Sequence, residues 1–421
     1  MKVGVIGLGY VGLPLLVELA KCGFEAVGID VDSTKVDSIN RGQNYIDDVN
    51  GTELSELFHA GKLKATTDWD VIGSLDAISI CVPTPLRKTK EPDISYIVRT
   101  VEQIAPRLRK GQIIILESTT YPGTTDELLL PEFVKNGLKA GEDFYLAFSP
   151  ERVDPGNAKF NTKNTPKIIG GVTAECGRRA AEYYRNVFET VVPVSSARCA
   201  EMVKLLENTF RSVNIGLVNE VALMCNKLDL NVWEVIEAAA TKPFGFMPFF
   251  PGPGLGGHCI PIDPHYLAWK LKTLNYTARF IELASEVNGS MPHFVVEKIM
   301  RALNDDKKAV NGSTIFVLGV AYKPNVNDVR ESPALDIIGL LHGMGADVEY
   351  HDPFVPKINE GGFILQSSPL TKETLQRADC VVVVTNHRDF DMKQVLDAAA
   401  IVVDTRNATK GLTGRARVVT L

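Results

Sequence analysis

The sequence predicts an α/β protein in which two doubly wound parallel sheets are joined by a long central helix. Three features support this prediction. Short apolar or β-branched runs alternate with helical spacing in the N-terminal half, the same alternation restarts after Pro292, and Ser196–Lys227 keeps helical periodicity without a proline. Strands that alternate with helices favour a parallel sheet covered on both faces.

The N-terminal half supplies the first predicted sheet. It opens with a strand at Lys2–Ile6, a glycine-rich turn, and a helix over Leu13–Cys22 that Gly23 ends. Further strands are predicted at four apolar runs: Glu25–Ile29, Ala77–Val82, Gln112–Glu117 and Tyr145–Phe148. The helix predicted over Ser196–Lys227 is far longer than the mean helix of about 11–12 residues, so we interpret it as a spine between two α/β domains.

The C-terminal half repeats the alternation. Asn231 has the position of an N-cap that opens a further helix, and after Pro292 the strand pattern restarts. The predicted elements are a helix over Ala334–Met344 and strands over Ser313–Val320, Asp347–His351, Cys380–Thr385 and Ile401–Asp404. Together they predict a second doubly wound unit, and an architectural pseudo-repeat of the two halves is one interpretation of this pattern.

Composition limits the classes of partner. The chain has 421 residues, 45% of them hydrophobic, and a formal net charge of −6, which suits two or three cores and argues against nucleic acid or a membrane surface as partner. Its seven cysteines show no CxxC pair, and His258, His265 and His387 match no metal-ligand spacing. With a strand from Lys2 and no apolar run of membrane length, we expect a cytoplasmic protein with free thiols and no metal.

The glycine-rich turn indicates a dinucleotide site. Gly7-Leu8-Gly9-Tyr10-Val11-Gly12 follows a strand and opens a helix, and Asp30 ends the second strand. Gly7 permits the tight turn, Gly9 lets backbone amides approach a pyrophosphate, and Gly12 allows close packing of helix on strand. Asp30 suits the ribose hydroxyls of NAD, and no arginine follows within Val31–Ser33 to favour NADP. The second unit lacks this pattern, since Gly319 is followed by Val-Ala-Tyr-Lys, and is expected to bind something else.

A second unusual segment carries a candidate nucleophile. Six of the seven residues in Pro251–Gly257 are Gly or Pro, so the segment is predicted to be a loop, and Cys259 and Asp263 follow it. A cysteine at the end of such a loop is poised to react. The cysteines within apolar helix or strand patterns are interpreted instead as small buried hydrophobes; they are Cys22, Cys81, Cys176, Cys225 and Cys380.

The long helix offers a third piece of chemistry. Lys204 and Asn208 are separated by four residues and therefore share a helix face. An ammonium and an amide on one face could hold an alcohol or alkoxide oxygen. In isolation, however, the same pair is typical of a solvated helix face.

These residues carry a family resemblance that runs along the whole chain. The chain resembles the UDP-glucose/GDP-mannose dehydrogenase family, with eight motifs in the same order. The motifs are GLGYVG at Gly7–Gly12, PTP at Pro83–Pro85, ESTTYPGTT at Glu117–Thr125, SPER at Ser149–Arg152, KLLENTFR at Lys204–Arg211, PGPGLGGHCIPIDP at Pro251–Pro264, YKPNVNDVRESPA at Tyr322–Ala334 and DTRN at Asp404–Asn407.

The resemblance implies catalytic roles. Cys259 corresponds to the nucleophile, Lys204 and Asp263 to groups that handle protons and position water, and Asn208 to an oxyanion donor. Thr119 and Glu151 correspond to groups that organise water and the reacting carbon. The implied reaction oxidises a nucleotide-sugar alcohol twice, to a carboxylate, through a thioester. A lysine, or a water that it holds, suits the base role, and a thiolate adds readily to the intermediate aldehyde.

The resemblance also implies binding residues and three domains. For NAD they are the glycine turn with Tyr10 and Val11, Asp30, Thr84, Thr119 and Arg330; for the UDP-sugar they are Glu151, Arg152, Lys204, Asn208, Phe249, Gly256, Lys323 and Arg406, with Arg279 reaching the neighbouring subunit of a homodimer. The expected domains are an NAD-binding Rossmann domain at 1–195, a central helical domain at 196–300 and a UDP-sugar-binding Rossmann-like domain at 301–421.

The identity of the sugar stays open at this point. STTYPGTT, SPERVDPGN at Ser149–Asn157 and HCIPIDPHYL at His258–Leu267 look like the UDP-N-acetylglucosamine 6-dehydrogenase branch, and Ile262 stands where the UDP-glucose branch more often has lysine. The loop Phe244–Phe250 could form an acetamido pocket or could be hinge packing. UDP-N-acetylmannosamine, UDP-N-acetylgalactosamine and UDP-glucose remain alternatives, and a role in polysaccharide precursor synthesis is expected.

Two rival classes share part of the pattern. A single-step hydroxyacid dehydrogenase would have the glycine turn and the Lys-xxx-Asn helix, but it would need neither the cysteine loop nor the second α/β unit. A non-catalytic NAD sensor would not explain a cysteine beside an aspartate in a Gly/Pro loop. Both features of the chain therefore favour the two-step oxidation.

Overall fold

The structure is a computed structural model that describes residues 1–46, 49–87, 91–153, 159–360 and 362–421. It divides into two compact units, the first formed by Met1–Glu207 with His265–Tyr276 and the second by Asn208–Pro264 with Thr277–Leu421. Both units are α/β with parallel sheets, as the sequence predicts. The finer division into three domains stays a prediction.

The first unit is built on an eight-stranded sheet. Its strands and helices, in chain order, are β1 Lys2–Ile6, α1 Gly12–Lys21, β2 Glu25–Ile29, α2 Ser33–Ile39, α3 Gly51–His59, β3 Leu63–Thr66, β4 Ala77–Ile80, α4 Ser95–Ile104, β5 Ile113–Leu116, α5 Leu130–Phe133, β6 Tyr145–Phe148, β7 Lys167–Gly171, α6 Ala174–Tyr184 and β8 Val191–Val194. The strand order is β3-β2-β1-β4-β5-β6-β7-β8, and the pairings are parallel except between β6 and β7.

The apolar runs become strands because both faces of this sheet are covered. Ile113–Leu116 is fully buried, with Ile115 in one apolar cluster and Ile114 and Leu116 in the other. Helix α1 buries Leu13 and Leu16 in the first cluster. A strand buried on both sides reads as a continuous apolar run, which is why the pattern predicted it.

The second unit is organised in the same way around a five-stranded sheet. Its elements follow the long helix α7 Ala197–Leu228 and are α8 Val232–Ala240, α9 Asp263–Lys272, α10 Arg279–Asp305, β9 Thr314–Leu318, α11 Pro333–Gly343, β10 Asp347–His351, β11 Lys357–Glu360, β12 Phe363–Gln366, α12 Lys372–Arg377, β13 Cys380–Val383, α13 Met392–Ala398, β14 Ile401–Asp404 and β15 Arg417–Thr420. The sheet order is β10-β9-β13-β14-β15 with parallel pairing, and β11 and β12 form a separate antiparallel hairpin. The predicted long helix is confirmed: α7 has 32 residues, a length of about 48 Å at 1.5 Å per residue.

The strands restart after Pro292, as the sequence predicts, but a helix comes first. Pro292 lies inside α10, which continues to Asp305, and the next strand is β9 at Thr314–Leu318. Proline lacks an N–H, so the carbonyl of Asn288 one turn earlier loses its helical partner. This carbonyl lies 3.4 Å from the position a Cβ would take on Gly254, so the Gly/Pro loop passes close by. The helix thus continues through a residue that disfavours a helix interior.

Candidate active site

The predicted site residues of the first unit follow the carboxyl ends of neighbouring parallel strands. Gly7 comes after β1, Asp30 after β2, Thr84 after β4, Thr119 after β5 and Glu151 after β6. Parallel strands end at one edge of a sheet, and the order reverses between β1 and β4. That reversal is the switch point at which doubly wound sheets bind nucleotides.

The glycine turn has the geometry that a pyrophosphate requires. Gly7 has a φ of +89°, and a Cβ on Gly12 would lie 1.8 Å from the carbonyl oxygen of Gly7. A Cβ on Gly9, in contrast, would meet nothing within 4 Å, so the turn is open there. The N-cap of α1, Val11, offers no side-chain cap, and the first turn contains no acidic residue. These amides and the helix dipole are therefore suited to an anion.

Asp30 is tied to the same turn. One carboxylate oxygen accepts the N–H of Leu8 at 2.8 Å, and the other accepts the N–H of Asp32 at 2.9 Å. The ammonium of Lys35 lies 3.5 Å away. The acid thus fixes the turn and keeps acceptor capacity for a ribose diol. Lys35, which lies in the first turn of α2, was not predicted as part of this group.

A buried carboxylate positions the loop that carries Thr119. Glu201 on α7 accepts the N–H groups of Gly123 at 2.6 Å and Thr125 at 2.9 Å, and the Thr125 hydroxyl at 2.7 Å. The hydroxyl of Tyr266 on α9 donates to the carbonyl of Thr84 at 2.7 Å and holds the neighbouring loop. Thr84 and Thr119 are both half-buried. Glu201 was not predicted, although it precedes Lys204 by one helical turn.

Glu151, Arg152 and Lys204 form one hydrogen-bonded group. The ammonium of Lys204 donates to the backbone carbonyl of Glu151 at 2.6 Å, and Arg152 pairs with Glu207 on α7 at 2.7 Å. Lys204 is buried, so the alternative of a fully solvated helix face is wrong for this residue. The 154–157 part of SPERVDPGN lies outside the described residues.

Buried amides hold the Gly/Pro loop in the second unit. Asn219 on α7 accepts the N–H of Gly252 at 2.9 Å and donates to Asn288 on α10 at 2.8 Å. A Cβ on Gly256 would lie 2.7 Å from Tyr322 Cβ, and one on Gly257, whose φ is +88°, would lie 2.8 Å from the Tyr322 ring. Glycine is required here because the segment after β9 packs directly on the loop.

This loop ends at the candidate nucleophile. Cys259 is exposed, and its carbonyl accepts the N–H of Asp263, the first residue of α9, at 2.8 Å. The Asp263 carboxylate is buried and accepts the amide of Asn208 at 2.5 Å. The structure therefore brings Asn208 and Asp263 together within the second unit. An asparagine amide has two N–H donors, so this bond does not exhaust Asn208.

The edge of the second sheet mimics that of the first. Gly319 follows β9 with a φ of +79°, and Asp352 follows β10 and accepts the N–H groups of Val320 at 2.8 Å and Ala321 at 3.0 Å. His387 Nδ1 accepts the N–H of Asn325, so its Nε2 carries the proton and donates to Asp352 at 2.9 Å. Although burial opposes ionisation, these bonds lower the pKa of Asp352.

The other predicted binding residues are distributed over the second unit. Lys323 follows β9, and its ammonium lies 5.8 Å from the centroid of the Tyr322 ring. Arg406 follows β14 and donates to the Val384 carbonyl at 2.8 Å, and burial lowers the pKa of its guanidinium to about 10. Arg330 pairs with Asp328 at 2.8 Å and contacts His258. Phe249 packs on Phe210 with ring centroids 5.8 Å apart, and Arg279 is exposed at the start of α10.

The interpretation of the other cysteines is confirmed for four of the five. Cys81, Cys176, Cys225 and Cys380 are buried, but Cys22 is exposed, because it is the C-cap residue of α1 rather than part of its apolar face.

In the described ranges there is no group of three or more His, Cys, Asp or Glu side chains arranged for a metal ion. Among the described helices, none combines the length with the apolar composition that a membrane span needs.

The first sheet and its turn define a dinucleotide-binding α/β protein with a cysteine-bearing loop. Models of the UDP-glucose/GDP-mannose dehydrogenase family match the chain in three parts: the NAD binding domain at residues 1–188, the central domain at 198–290 and the UDP binding domain at 316–411. The chain belongs to the UDP-glucose/GDP-mannose dehydrogenase family. It is an NAD-dependent UDP-sugar dehydrogenase, and the glycine turn and Asp30 fit the cofactor.

Individual relatives cover nearly the whole chain. The UDP-N-acetyl-D-mannosamine dehydrogenase of Pyrococcus horikoshii is 36% identical over 391 residues, 93% of this chain and 90% of that protein. The UDP-N-acetyl-D-glucosamine 6-dehydrogenase of Salmonella typhi is 34% identical over 396 residues, 93% of this chain and 91% of that protein. A solved structure of the Pyrococcus horikoshii UDP-D-ManNAc dehydrogenase has a TM-score of 0.90 at 33% identity and covers 100% of this chain and 99% of that one.

Proposed function

We propose that this chain oxidises the C6 alcohol of UDP-N-acetylglucosamine to the uronic acid through a thioester on Cys259. The observation that carries the proposal is the arrangement at the end of the Gly/Pro loop. An exposed thiol there is followed, one helical turn later, by a buried carboxylate that an asparagine amide binds.

The chemistry divides into two oxidations and a hydrolysis. NAD⁺, when bound, supplies the hydride acceptor for each oxidation. Lys204, or a water that it holds, takes the proton of the alcohol, and Lys204 and Asn208 stabilise the developing oxyanion. The Cys259 thiolate then adds to the aldehyde carbon and gives a thiohemiacetal, whose oxidation leaves a thioester.

Hydrolysis releases the product. Water adds to the acyl carbon, the bond from this carbon to Sγ breaks with its electrons and one water proton going to sulfur, and a carboxylate and one released proton are formed. Asp263 or Glu151 orients the water, and Thr119 organises the same region. These roles are assigned by position in the family motifs.

The nucleotide is assigned to the second unit. Lys323 and Arg406 follow the carboxyl ends of β9 and β14, where a doubly wound sheet binds its ligand, and both are cationic. Arg152, Gly256 and Phe249 complete the set proposed for the sugar, and Thr84 and Arg330 the set proposed for NAD. Gly256 is included by its position in the family motif, since the space beside it is filled by Tyr322.

The choice of N-acetylglucosamine as the sugar rests on the residues found in the family motifs. HCIPIDPHYL and Ile262 favour this branch, while relatives of similar identity are named for N-acetylmannosamine as well as for N-acetylglucosamine. The loop Phe244–Phe250 is mostly exposed, with Phe244 at 71%, and Phe249 packs on Phe210. UDP-N-acetylmannosamine, UDP-N-acetylgalactosamine and UDP-glucose are therefore the competing substrates.

The stoichiometry of NADH tests the reaction and the sugar together. UDP-N-acetylglucosamine, UDP-N-acetylmannosamine, UDP-N-acetylgalactosamine and UDP-glucose are supplied in parallel, and NADH and acid product are quantified per sugar consumed. About two NADH per sugar, with an acid, supports the two-step oxidation, and the ratio of kcat/KM values gives the preferred sugar. One NADH per sugar would instead fit a single-step dehydrogenase and remove the role of Cys259.

The Cys259→Ser variant tests the thioester directly. Serine keeps the size of the side chain and removes the thiolate, so we expect acid formation to stop while NAD binding is retained. Cys22→Ser, which alters an exposed thiol at the end of α1, is the matched control and should retain activity. Acid formation at the wild-type rate in Cys259→Ser would refute the mechanism.

A homodimer built around α7 is part of the proposal. This helix exposes apolar side chains at spacings of four and seven residues, which is typical of a buried helix contact rather than of a solvated face; they are Met202, Leu206, Phe210, Leu217, Met224 and Leu228. Arg279 is proposed to reach the partner's UDP site. Leu217→Glu should shift the mass measured by light scattering from dimer to monomer, whereas an unchanged mass would count against this interface. The expected cytoplasmic location and polysaccharide role stay predictions.

A further inference from the structure

A buried ion cluster lies behind Glu151 in the first unit. Lys167, the first residue of β7, places its ammonium 2.5 Å from a carboxylate oxygen of Glu117 and 3.2 Å from one of Glu151. The Lys167 and Glu117 side chains are 3% and 0% exposed, whereas that of Glu151 is 16% exposed. One lysine therefore joins a carboxylate in the core to a carboxylate at the rim of the site.

The inner side of the cluster leaves the lysine little freedom. The Tyr184 hydroxyl donates to the second oxygen of Glu117, and Ser79 lies 2.9 Å from that hydroxyl. The rings of Phe188 and Tyr184 lie 5.2 Å and 5.8 Å from the ammonium. An ammonium held by a carboxylate and two aromatic faces is fixed from within.

Glu151 is held at three points on the outer side. Its Oε1 accepts the N–H groups of Arg152 at 2.9 Å and Val153 at 2.8 Å, its Oε2 accepts Lys167, and its backbone carbonyl accepts Lys204. A carboxylate has about four lone-pair directions, so Arg152, Val153 and Lys167, its donors among the described residues, leave roughly one for a further hydrogen bond. The arrangement suits an acceptor that orients a water molecule.

The charges around Glu151 keep it ionised. Burial alone would raise the pKa of this carboxyl, but Lys167, the Val153 amide and Lys204 outweigh burial and lower the pKa below its ordinary value. Glu117 acts in the opposite direction from the far side of Lys167. Burial raises the pKa of the Cys81 thiol well above its ordinary value, so this neighbour is neutral.

Stability alone does not explain why this buried cluster is charged, since apolar residues of similar volume often stabilise a protein equally well. We propose that Lys167 is a positioning residue, which holds Glu151 as an ionised acceptor for the water that hydrolyses the Cys259 thioester. The inference rests on the proposed function. In this step the acceptor orients the water and the new carbon–oxygen bond replaces the carbon–sulfur bond. One proton of the water goes to the leaving sulfur, and the other goes to solvent.

Replacement of the cation tests the proposal through the pH profile. Lys167→Met removes the charge, so the pKa of Glu151 should rise by about one to three units and the acid limb of kcat should move up with it. At a pH below the shifted limb, kcat should fall about tenfold per unit. An adduct on Cys259 should accumulate in intact-protein mass spectra, and Lys167→Arg should restore the wild-type profile.

Glu117→Gln is the matched control inside the same cluster. It disturbs the buried pair but leaves Lys167 facing Glu151, so the acid limb should stay in place or move to lower pH. If Lys167→Met does not fold, the double variant Lys167→Met/Glu117→Gln removes the orphaned buried carboxylate and should show the same upward shift. An unshifted limb in the folded variant, or an equal upward shift in Glu117→Gln, would overturn the proposal.

A readout without turnover separates the two hypotheses. The carboxyl carbon resonance of Glu151, assigned by its loss in Glu151→Gln, should titrate at a lower pH in the wild type than in Lys167→Met. If no sugar gives two NADH, the proposed function fails, and a role in thioester hydrolysis fails with it, but the titration still reports whether Lys167 sets the charge of Glu151. Two NADH with unchanged titration would refute the lysine role alone.

Discussion

Removal of the Glu201 carboxylate should loosen the loop between β5 and α5. In Glu201→Gln one oxygen can still accept the Thr125 donors, but the new NH₂ group faces the N–H of Gly123, which now lies 2.6 Å from a carboxylate oxygen. A buried donor left without an acceptor costs about 1–3 kcal/mol. Glu201→Ala leaves all three donors without their acceptor and opens a cavity, so we expect a loss of about 4 kcal/mol or more.

Two assays measure this loss. Urea unfolding gives the change in the free energy of unfolding, and hydrogen exchange followed by mass spectrometry gives the local protection of 118–129, where exchange should accelerate. Activity should fall with stability, because the same segment carries Thr119. Glu127→Gln is the control on the same loop. Glu127 is 42% exposed and pairs with Lys270 at 2.6 Å and with Arg198 at 3.3 Å, and pairs of an exposed carboxylate contribute only about 0–1 kcal/mol each.

The result that refutes this reasoning is specific. A Glu201→Gln variant within about 0.5 kcal/mol of wild type, the range expected for surface changes, would mean that the three hydrogen bonds do not stabilise the loop. Equal losses in Glu201→Gln and Glu127→Gln would mean that the effect follows from general charge rather than from the buried contact. Accelerated exchange confined to segments outside 118–129 would contradict the proposed link to the Thr119 loop.

Three further predictions follow from other contacts. Asp30→Ala removes the carboxylate that accepts the Leu8 N–H and would accept the ribose hydroxyls, so it should raise the Kd of NAD by about tenfold or more. It should also reduce the preference for NAD over NADP, and an unchanged ratio of the kcat/KM values for the two cofactors would contradict this role. Asn219→Ala removes the acceptor of Gly252 and should lower kcat while NAD affinity, measured by calorimetry, is retained; an unchanged kcat would refute it. Burial opposes ionisation of Asp328, but the hydrogen bonds that it accepts lower its pKa to about 2. Its contribution to stability is therefore present above the ordinary pKa of 3.8 and is lost as the pH falls from 3.8 towards 2. Asp328→Asn should accordingly lose less stability than the wild type between pH 5 and pH 3, as measured by urea unfolding.

Much of the fold could be predicted because buried parallel strands and long helices have plain periodicities. The apolar run at β5 and the unbroken helical pattern of α7 have few competing interpretations. Pro292 shows the limit: proline disfavours a helix interior, yet α10 continues through it, with much of its surface buried. Short strands such as β8, whose four residues are Val-Val-Pro-Val, show too little periodicity to be distinguished from a loop.

The candidate site was predictable where residue type alone restricts the backbone. Glycines at Gly7 and Gly257 indicate tight turns, and both have positive φ. The pairing of Lys167 with Glu117 could not be predicted, because it joins the first residue of β7 to the residue after β5, fifty positions away in sequence. A charged residue directly after the apolar run at β5 was the one available signal for it.

Asp30 and Asp352, which follow corresponding strands of the two sheets, differ in how far their carboxylates are available to a ligand. Asp30 has three protein donors around it, whereas both oxygens of Asp352 are occupied by four backbone N–H groups and the ring of His387. A diol arriving at the second aspartate would have to displace a buried imidazole. The second aspartate is therefore less available than Asp30 as an acceptor for a ribose diol, although the two residues end corresponding strands.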